Sequence, residues 1–255
     1  MIGRYEAYMN GIALSSIDPS ICVLDIRPSA PKPVYSTYNL TYKDGAVIEN
    51  AYYEKTSVEV EFEIHEYSVI RRQNICQKIQ KWAKRGIFTA SNRPDQRLKN
   101  CVCESFPVAE SKSWTRSLTM TLSAYNPPYW EELNPTTVTL TGTDSSANVY
   151  VPGNADKAYV SADVTISSFV TSIRFTVGDT TIVLTGLSNE EGDHIRVGYD
   201  DDGYMYIRLN NTSIIEKRHE SSDDDLIVEC GKINTFSIAS SASVSVTYTV
   251  RGCWL

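Results

Sequence analysis

The sequence predicts a mainly β protein, with an N-terminal β-sandwich or barrel-like domain carrying one α-helix and a helix-free antiparallel β-sandwich after it. Three observations lead there. Apolar and polar residues alternate along most of the 255 residues with the period of two that a half-buried strand requires. Only one segment keeps helical spacing. At Asn126-Pro127-Pro128 a strand pattern stops, because consecutive prolines give a ladder no N–H donors, and the helical signal never returns beyond it. The boundary follows, with residues 1–129 in one domain and 130–255 in the other.

Taken in order, Tyr5 to Leu14 folds back at Asn10-Gly11, a pair suited to the positive φ angles of a type I′ hairpin turn. Val58, Val60, Phe62 and Ile64 alternate with Glu59, Glu61 and Glu63, so one face of that strand meets a core and the other meets water or a cation. A helix is expected over about 68–85. Ile75, Ile79 and Trp82 mark its buried stripe, Ser68 its N-cap and Gly86 its C′ residue, and Lys81, Lys84 and Arg85 suit the negative end of its dipole. Leu118 to Ala124 repeats the strand pattern up to the double proline.

Past the boundary, short strands are expected at Val160–Ile166, Ile173–Val177, Thr181–Leu184, His194–Tyr199, Tyr204–Leu209, Leu226–Val228, Phe236–Ile238 and Val244–Val250. Turn signals such as Gly178-Asp179 and Asp202-Gly203 separate them. Strands at this spacing without intervening helices favour a two-sheet sandwich.

Composition limits the function classes. Hydrophobic residues at 42% and charged residues at 22% describe an ordinary globular chain, and no run approaches the ~18–20 apolar residues of a membrane helix. No membrane partner is expected, and Arg4 and Glu6 interrupt the place of an export signal. The net charge is −7, with sixteen basic against thirteen acidic residues up to Tyr129 and eight against eighteen after it. Such a chain is a poor nucleic-acid binder. The six cysteines, at 22, 76, 101, 103, 230 and 253, read as reduced thiols, and none stands at metal-ligand spacing to a histidine.

Catalytic signatures are absent: there is no G-x-S-x-G, P-loop, H-E-x-x-H or G-x-G-x-x-G. Asp200-Asp201-Asp202-Gly203 lacks the end carboxylates of a calcium loop, and Asp223-Asp224-Asp225 reads as an exposed loop. No enzyme, metal or cofactor is expected. The tyrosines are more informative: of 16, five (Tyr35, Tyr38, Tyr42, Tyr52 and Tyr53) gather just ahead of the Val58 strand. Tyrosine offers apolar area with a polar tip and is enriched at interfaces, although it is also an ordinary cross-strand residue. The candidate interface is therefore Pro33 to Ile64, in which the tyrosines accompany a strand, including Val58 and Val60, able to add to a neighbour's sheet edge.

The order of these signals resembles the distal tail protein (Dit) family of long-tailed phages and prophages of Gram-positive bacteria. The marks are Tyr8-Met9-Asn10-Gly11-Ile12, then Tyr42-Lys43-Asp44-Gly45 with Tyr52-Tyr53, the alternating Val58 strand, and the single helix ending near Trp82. Asn126-Pro127-Pro128-Tyr129-Trp130, Val151-Pro152-Gly153-Asn154 and Gly231-Lys232-Ile233-Asn234 follow. The resemblance implies a virion structural protein made in the bacterial host cytoplasm. Six copies would form a ring through their N-terminal domains at the distal end of the tail tube, a hub for baseplate or tail-tip and host-adsorption proteins, with a galectin-like C-terminal sandwich. Expected partners are further copies of itself, the tail tube protein and a tail-associated or baseplate protein. An alternative is host recognition through a wall glycan bound by the C-terminal sandwich, where a tyrosine would have to supply the aromatic platform. The galactoside-reading motifs of true galectins are missing. A two-carboxylate hydrolase of wall polymers is a third, weaker reading.

Overall fold

The computed structural model describes residues 5–39, 46–106 and 117–255. Among these residues it is mainly β with one α-helix, and the chain divides into two compact units, Met1–Glu131 with Leu255 and Glu132–Trp254.

The first unit contains β1 (Ala7–Met9), β2 (Ile12–Ala13), β3 (Ile21–Pro28), β4 (Pro33–Asn39), β5 (Ala46–Tyr53), β6 (Thr56–Ile64), α1 (Val69–Trp82), β7 (Arg85–Ala90), β8 (Arg93–Ser105) and β9 (Leu118–Ala124), with β10 (Trp130–Glu132) at its end. Its main sheet runs β2-β1-β7-β8-β9-β6-β3, all antiparallel. The alternation in β6 works as its period requires: Val58, Val60, Phe62 and Ile64 are buried, while on the other face Glu61 meets the Arg27 guanidinium at 2.8 Å.

The opening hairpin turns at Asn10 (φ 53°) and Gly11 (φ 77°), the left-handed pair that its sequence specifies. Asn10 also locks the hairpin to β7. Its Oδ1 accepts the Ile87 N–H at 2.9 Å, its Nδ2 donates to the Arg85 carbonyl at 3.3 Å, and its own N–H donates to the Ile87 carbonyl at 2.8 Å. The side chain lies so close over Gly86 that a Cβ there would sit 2.2 Å from Asn10 Oδ1.

That contact corrects the expected end of the helix. Helix α1 stops at Trp82, capped by Ala83, and Gly86 belongs to β7, where it makes room for Asn10. Of the three basic residues, only Lys81 lies in the last turn. The N-terminal end is as the sequence predicts, with Ser68 Oγ accepting the Arg71 N–H at 3.4 Å. Ile75 and Ile79 are buried, and Trp82 Nε1 donates to the Ile12 carbonyl at 2.8 Å, which fastens the helix to the opening hairpin.

The second unit contains β11 (Thr136–Val151), β12 (Ala158–Ile166), β13 (Ser172–Val177), β14 (Thr180–Thr185), β15 (His194–Tyr199), β16 (Met205–Leu209), β17 (Thr212–Ser213), β18 (Ile227–Val228), β19 (Lys232–Val250) and β20 (Cys253–Trp254). The two strands expected near its end are one: β19 runs unbroken for 19 residues. Its first half pairs with β13 (Phe236 opposite Val177) and its second half with β12 (Val244 opposite Ile166). Strand β11 follows it throughout, with a register shift at Gly142/Asp144. One long ribbon therefore serves β14-β13-β19 on one side and β19-β12-β15-β16-β17 on the other, changing sheets at a bulge. Tyr248, on the second half, has its ring 6.5 Å from Phe175 and 5.5 Å from Phe236 on the first, and its hydroxyl donates to the Ser237 carbonyl at 2.5 Å. The two faces meet there, around a core that includes Val164, Phe175, Ile182, Ile195, Val246 and Tyr248.

Candidate assembly surface

Between β3 and β6, which pair directly with each other, the chain makes an excursion as the ribbon β4–β5. Among the described residues these two strands pair only with one another. A two-stranded ribbon in water is marginal unless something covers a face of it. Its residue types suit strands, yet none of the described side chains of β4 is buried.

Register and alternation sort the side chains. Tyr52 stands opposite Val34 and Tyr38 opposite Val47, which puts both tyrosines on one face; Tyr35 and Ile48, the latter opposite Thr37, take the other. Their exposures are 55% for Tyr35, 49% for Tyr38, 58% for Ile48 and 57% for Tyr52. A ribbon with large apolar groups in water on both faces differs from the usual single scattered exposed residue, and among the described residues no further strand pairs with its outer edges.

The base of the ribbon is held firmly. Ser29 N–H donates to the Ser57 carbonyl at 2.8 Å, Glu54 N–H to the Lys32 carbonyl at 3.1 Å, and the Tyr53 ring meets Tyr129 edge-on at 5.8 Å. Beside it Lys55 Nζ reaches Glu104 at 2.6 Å and lies 5.6 Å from the Tyr125 ring centre, while the Tyr125 hydroxyl donates to the same carboxylate. Hydrogen bonds from Lys55 and then Tyr125 hold the Glu104 carboxyl below its ordinary range, and the bond to Glu104 raises the Lys55 ammonium. The arm is fixed at its root, and Tyr35, Tyr38, Ile48 and Tyr52 along it are exposed.

The sequence-predicted residues fall into three groups. Tyr35, Tyr38 and Tyr52 lie on the bare ribbon, and Tyr53 is half-buried at its base. Tyr42, with Lys43-Asp44-Gly45, lies outside the described residues. Val58 and Val60 do not belong to any surface: both are 0% exposed, and β6 is paired on both edges, with β3 and β9. The alternation of that strand marks a central core strand, so it has no free edge to offer a neighbour. Ile48 was missed by an argument built on tyrosines; Ala46-Val47-Ile48 is an apolar run facing the Tyr35–Tyr38 strand.

Elsewhere, the acidic clusters are used in local structure. Asp200 Oδ1 accepts the N–H groups of Asp202 and Tyr204 at 3.0 and 2.9 Å, Asp223 accepts the Thr181 N–H at 2.6 Å, and Asp224 pairs with Arg218 at 2.7 Å. Asn234, in the Gly231-Lys232-Ile233-Asn234 turn, donates to the Glu229 and Lys232 carbonyls at 2.9 and 3.2 Å. Among the described residues no cluster of three or more metal-ligating side chains occurs, and no helix is long and apolar enough to cross a membrane.

No protein-family model matches the sequence, and no curated protein matches it. Solved structures do. The fold is similar to that of the phage SPP1 Dit protein, described as a paradigm of the hub adsorption apparatus in phages infecting Gram-positive bacteria, with a TM-score of 0.74 and 15% identity over 98% of this chain and 99% of that one. Two structures of the phage P2 baseplate in its activated conformation, with Ca and with Sr, match at TM-scores of 0.43 and 0.42, each with 9% identity over 97% of both chains.

Proposed function

We propose that this chain is a structural component of a phage or prophage tail, a hub at the distal end of the tail tube built from six copies in a closed ring. The proposal starts from the Dit-like fold shared along the whole chain. The single observation that carries the assembly is the β4–β5 arm: Tyr35, Tyr38, Ile48 and Tyr52 stand about half or more exposed on a ribbon with no other strand beside it among the described residues. A neighbouring copy supplies the missing cover. Repeated head to tail, such a contact closes into a ring, and the first unit is then the ring-forming domain. The tail tube protein and a baseplate or tail-tip protein take the two faces of that ring, and the second unit is the galectin-like domain. The role is structural and requires no catalysis.

Light scattering of the purified protein across a concentration series tests this, with negative-stain images of the largest species. Six times 28.5 kDa, about 171 kDa, in six-fold rings is the expected result. A monomer at every concentration, with and without purified tail tubes, would overturn it.

A second reading has one observation in its favour. Tyr150 and Ile233 face each other across β11 and β19, 57% and 71% exposed, and Ile233 borders an open cleft of about 550 Å³ lined also by Asp156, Lys157, Asp179, Glu229 and Lys232. An aromatic shelf beside carboxylates and amines suits a host-wall glycan. Saturable binding of purified wall glycan, lost in Tyr150→Ala, is expected on this reading; no binding at millimolar sugar removes it.

A further inference from the structure

The second unit brings two cysteines together where three chain segments converge. Gly153 bridges Cys253, and the N–H groups of Asn154 and Ala155 donate to the Cys253 carbonyl at 2.9 and 3.1 Å. On its other side the same segment receives Gly231, whose N–H donates to the Val151 carbonyl at 2.7 Å. Two glycines make this approach possible. A Cβ on Gly153 (φ 121°) would lie 2.1 Å from the Cys253 carbonyl oxygen, and one on Gly231 (φ 72°) would lie 2.9 Å from the Gly153 carbonyl oxygen.

The convergence sets Cys230, the residue before Gly231, against Cys253. The side chain and backbone N–H of Cys253 come within hydrogen-bonding reach of the Cys230 sulfur, while the Cys253 thiol also donates to the Arg251 carbonyl at 3.5 Å. Both residues are buried, and neither is in a disulfide. We propose that Cys230 and Cys253 are a built disulfide site, closed by a disulfide oxidant such as oxidised glutathione.

The exchange balances without any other reactant. The Cys230 thiolate attacks one sulfur of the oxidant and breaks its S–S bond, expelling one glutathione thiolate. The Cys253 thiolate then attacks the Cys230 sulfur of the mixed disulfide and expels the second. Two protein thiols are oxidised, one small disulfide is reduced, and the two thiol protons end on the two glutathiones. The hydrogen bond from Cys253 lowers the Cys230 thiol below its ordinary value, which favours it as the attacking group. The nearby pair in sequence, Cys101 and Cys103, is chemically different: burial pushes the Cys101 thiol up to about 12 and raises Cys103 as well, so both stay protonated. The bond would close a loop holding the whole of β19, the strand shared by both halves of the sandwich, and tie the last strand to it.

The test treats the purified full-length protein with oxidised glutathione at pH 8, quenches with acid, and counts thiols after unfolding, with peptide mapping by mass spectrometry. The count is expected to fall from six to four, with one cross-linked peptide pair joining Cys230 and Cys253. Cys230→Ser and Cys253→Ser should each start at five thiols and remain there. Retention of all six thiols in the folded protein, under conditions that oxidise the unfolded chain, overturns the proposal, and so does a linkage between any other pair. Wild-type mapping decides the matter even if a serine variant folds poorly.

Discussion

Replacing Tyr38 and Tyr52 together by serine separates assembly from folding. Both rings lie on one face of the β4–β5 ribbon, 49% and 57% exposed. On a tyrosine of about 200 Å², Tyr52 leaves roughly 110 Å² for a neighbour to cover, about 2.5–3 kcal/mol at ~25 cal/mol/Å². Tyr38 offers slightly less. After ordering costs, about 3–4 kcal/mol per interface is a reasonable loss for the pair, a weakening of roughly 10²–10³-fold. The folded monomer should lose no more than about 1 kcal/mol, because about half of each side chain is already in water. Val58→Ala is the control with the opposite signature. Val58 is 0% exposed, so its loss should cost about 2 kcal/mol of folding stability by removing buried methyls and leaving a cavity. The assay pairs urea unfolding of monomer with sedimentation velocity over a concentration series. An unchanged association curve for the tyrosine variant, or a loss of more than about 1 kcal/mol in its folding stability, would refute the assignment of that face to an interface.

Tyr248→Phe keeps the ring contacts with Phe175 and Phe236 and removes only the bond to the Ser237 carbonyl, so it should cost about 1 kcal/mol, against about 3–5 kcal/mol for Tyr248→Ala, read from urea midpoints. Asn10→Ala removes two side-chain bonds and a left-handed residue's tolerance, and a loss of about 2 kcal/mol is expected; Gly86→Ala should be coupled to it in a double-mutant cycle, since the three atoms nearest to the added methyl all belong to the Asn10 side chain. For pH dependence, the lowered Glu104 carboxyl contributes stability that is present above the unfolded value of about 4.3 and lost as pH falls through the folded one. The pair with Lys55 is partly exposed, so the amount is under about 1 kcal/mol, and Glu104→Gln should reduce the difference in urea midpoint between pH 6 and pH 3. In folded protein Cys101 should resist iodoacetamide at pH 8, because burial holds its thiol up at about 12.

Much of the fold was legible because its signals are local. Asn10-Gly11 forces a hairpin wherever it sits, Ser68 caps a helix whose stripe is Ile75 and Ile79, and the Val58–Ile64 alternation buries one face. Strand β11 was not legible, since Thr136 to Val151 is mostly threonine, serine and small residues, with only Leu140 and Val151 buried among the apolar ones. It is a strand because β19 pairs with it along its whole length. For the same reason Ala239 to Ser243 reads as a break in the sequence and is continuous strand in the structure.

By itself, then, the sequence determined the mainly β class, the single helix, the opening hairpin and the gathering of tyrosines ahead of β6. Each of these rests on residue chemistry acting over a few positions. The tertiary structure decided which apolar residues are used up inside the chain and which are left over. Val58 and Tyr52 are equally good strand residues, but β6 is enclosed by β3 and β9 whereas, among the described residues, β5 pairs only with β4. Burial depends on what lies across space, and a period of two records only that a residue has one side facing away from its neighbours in sequence.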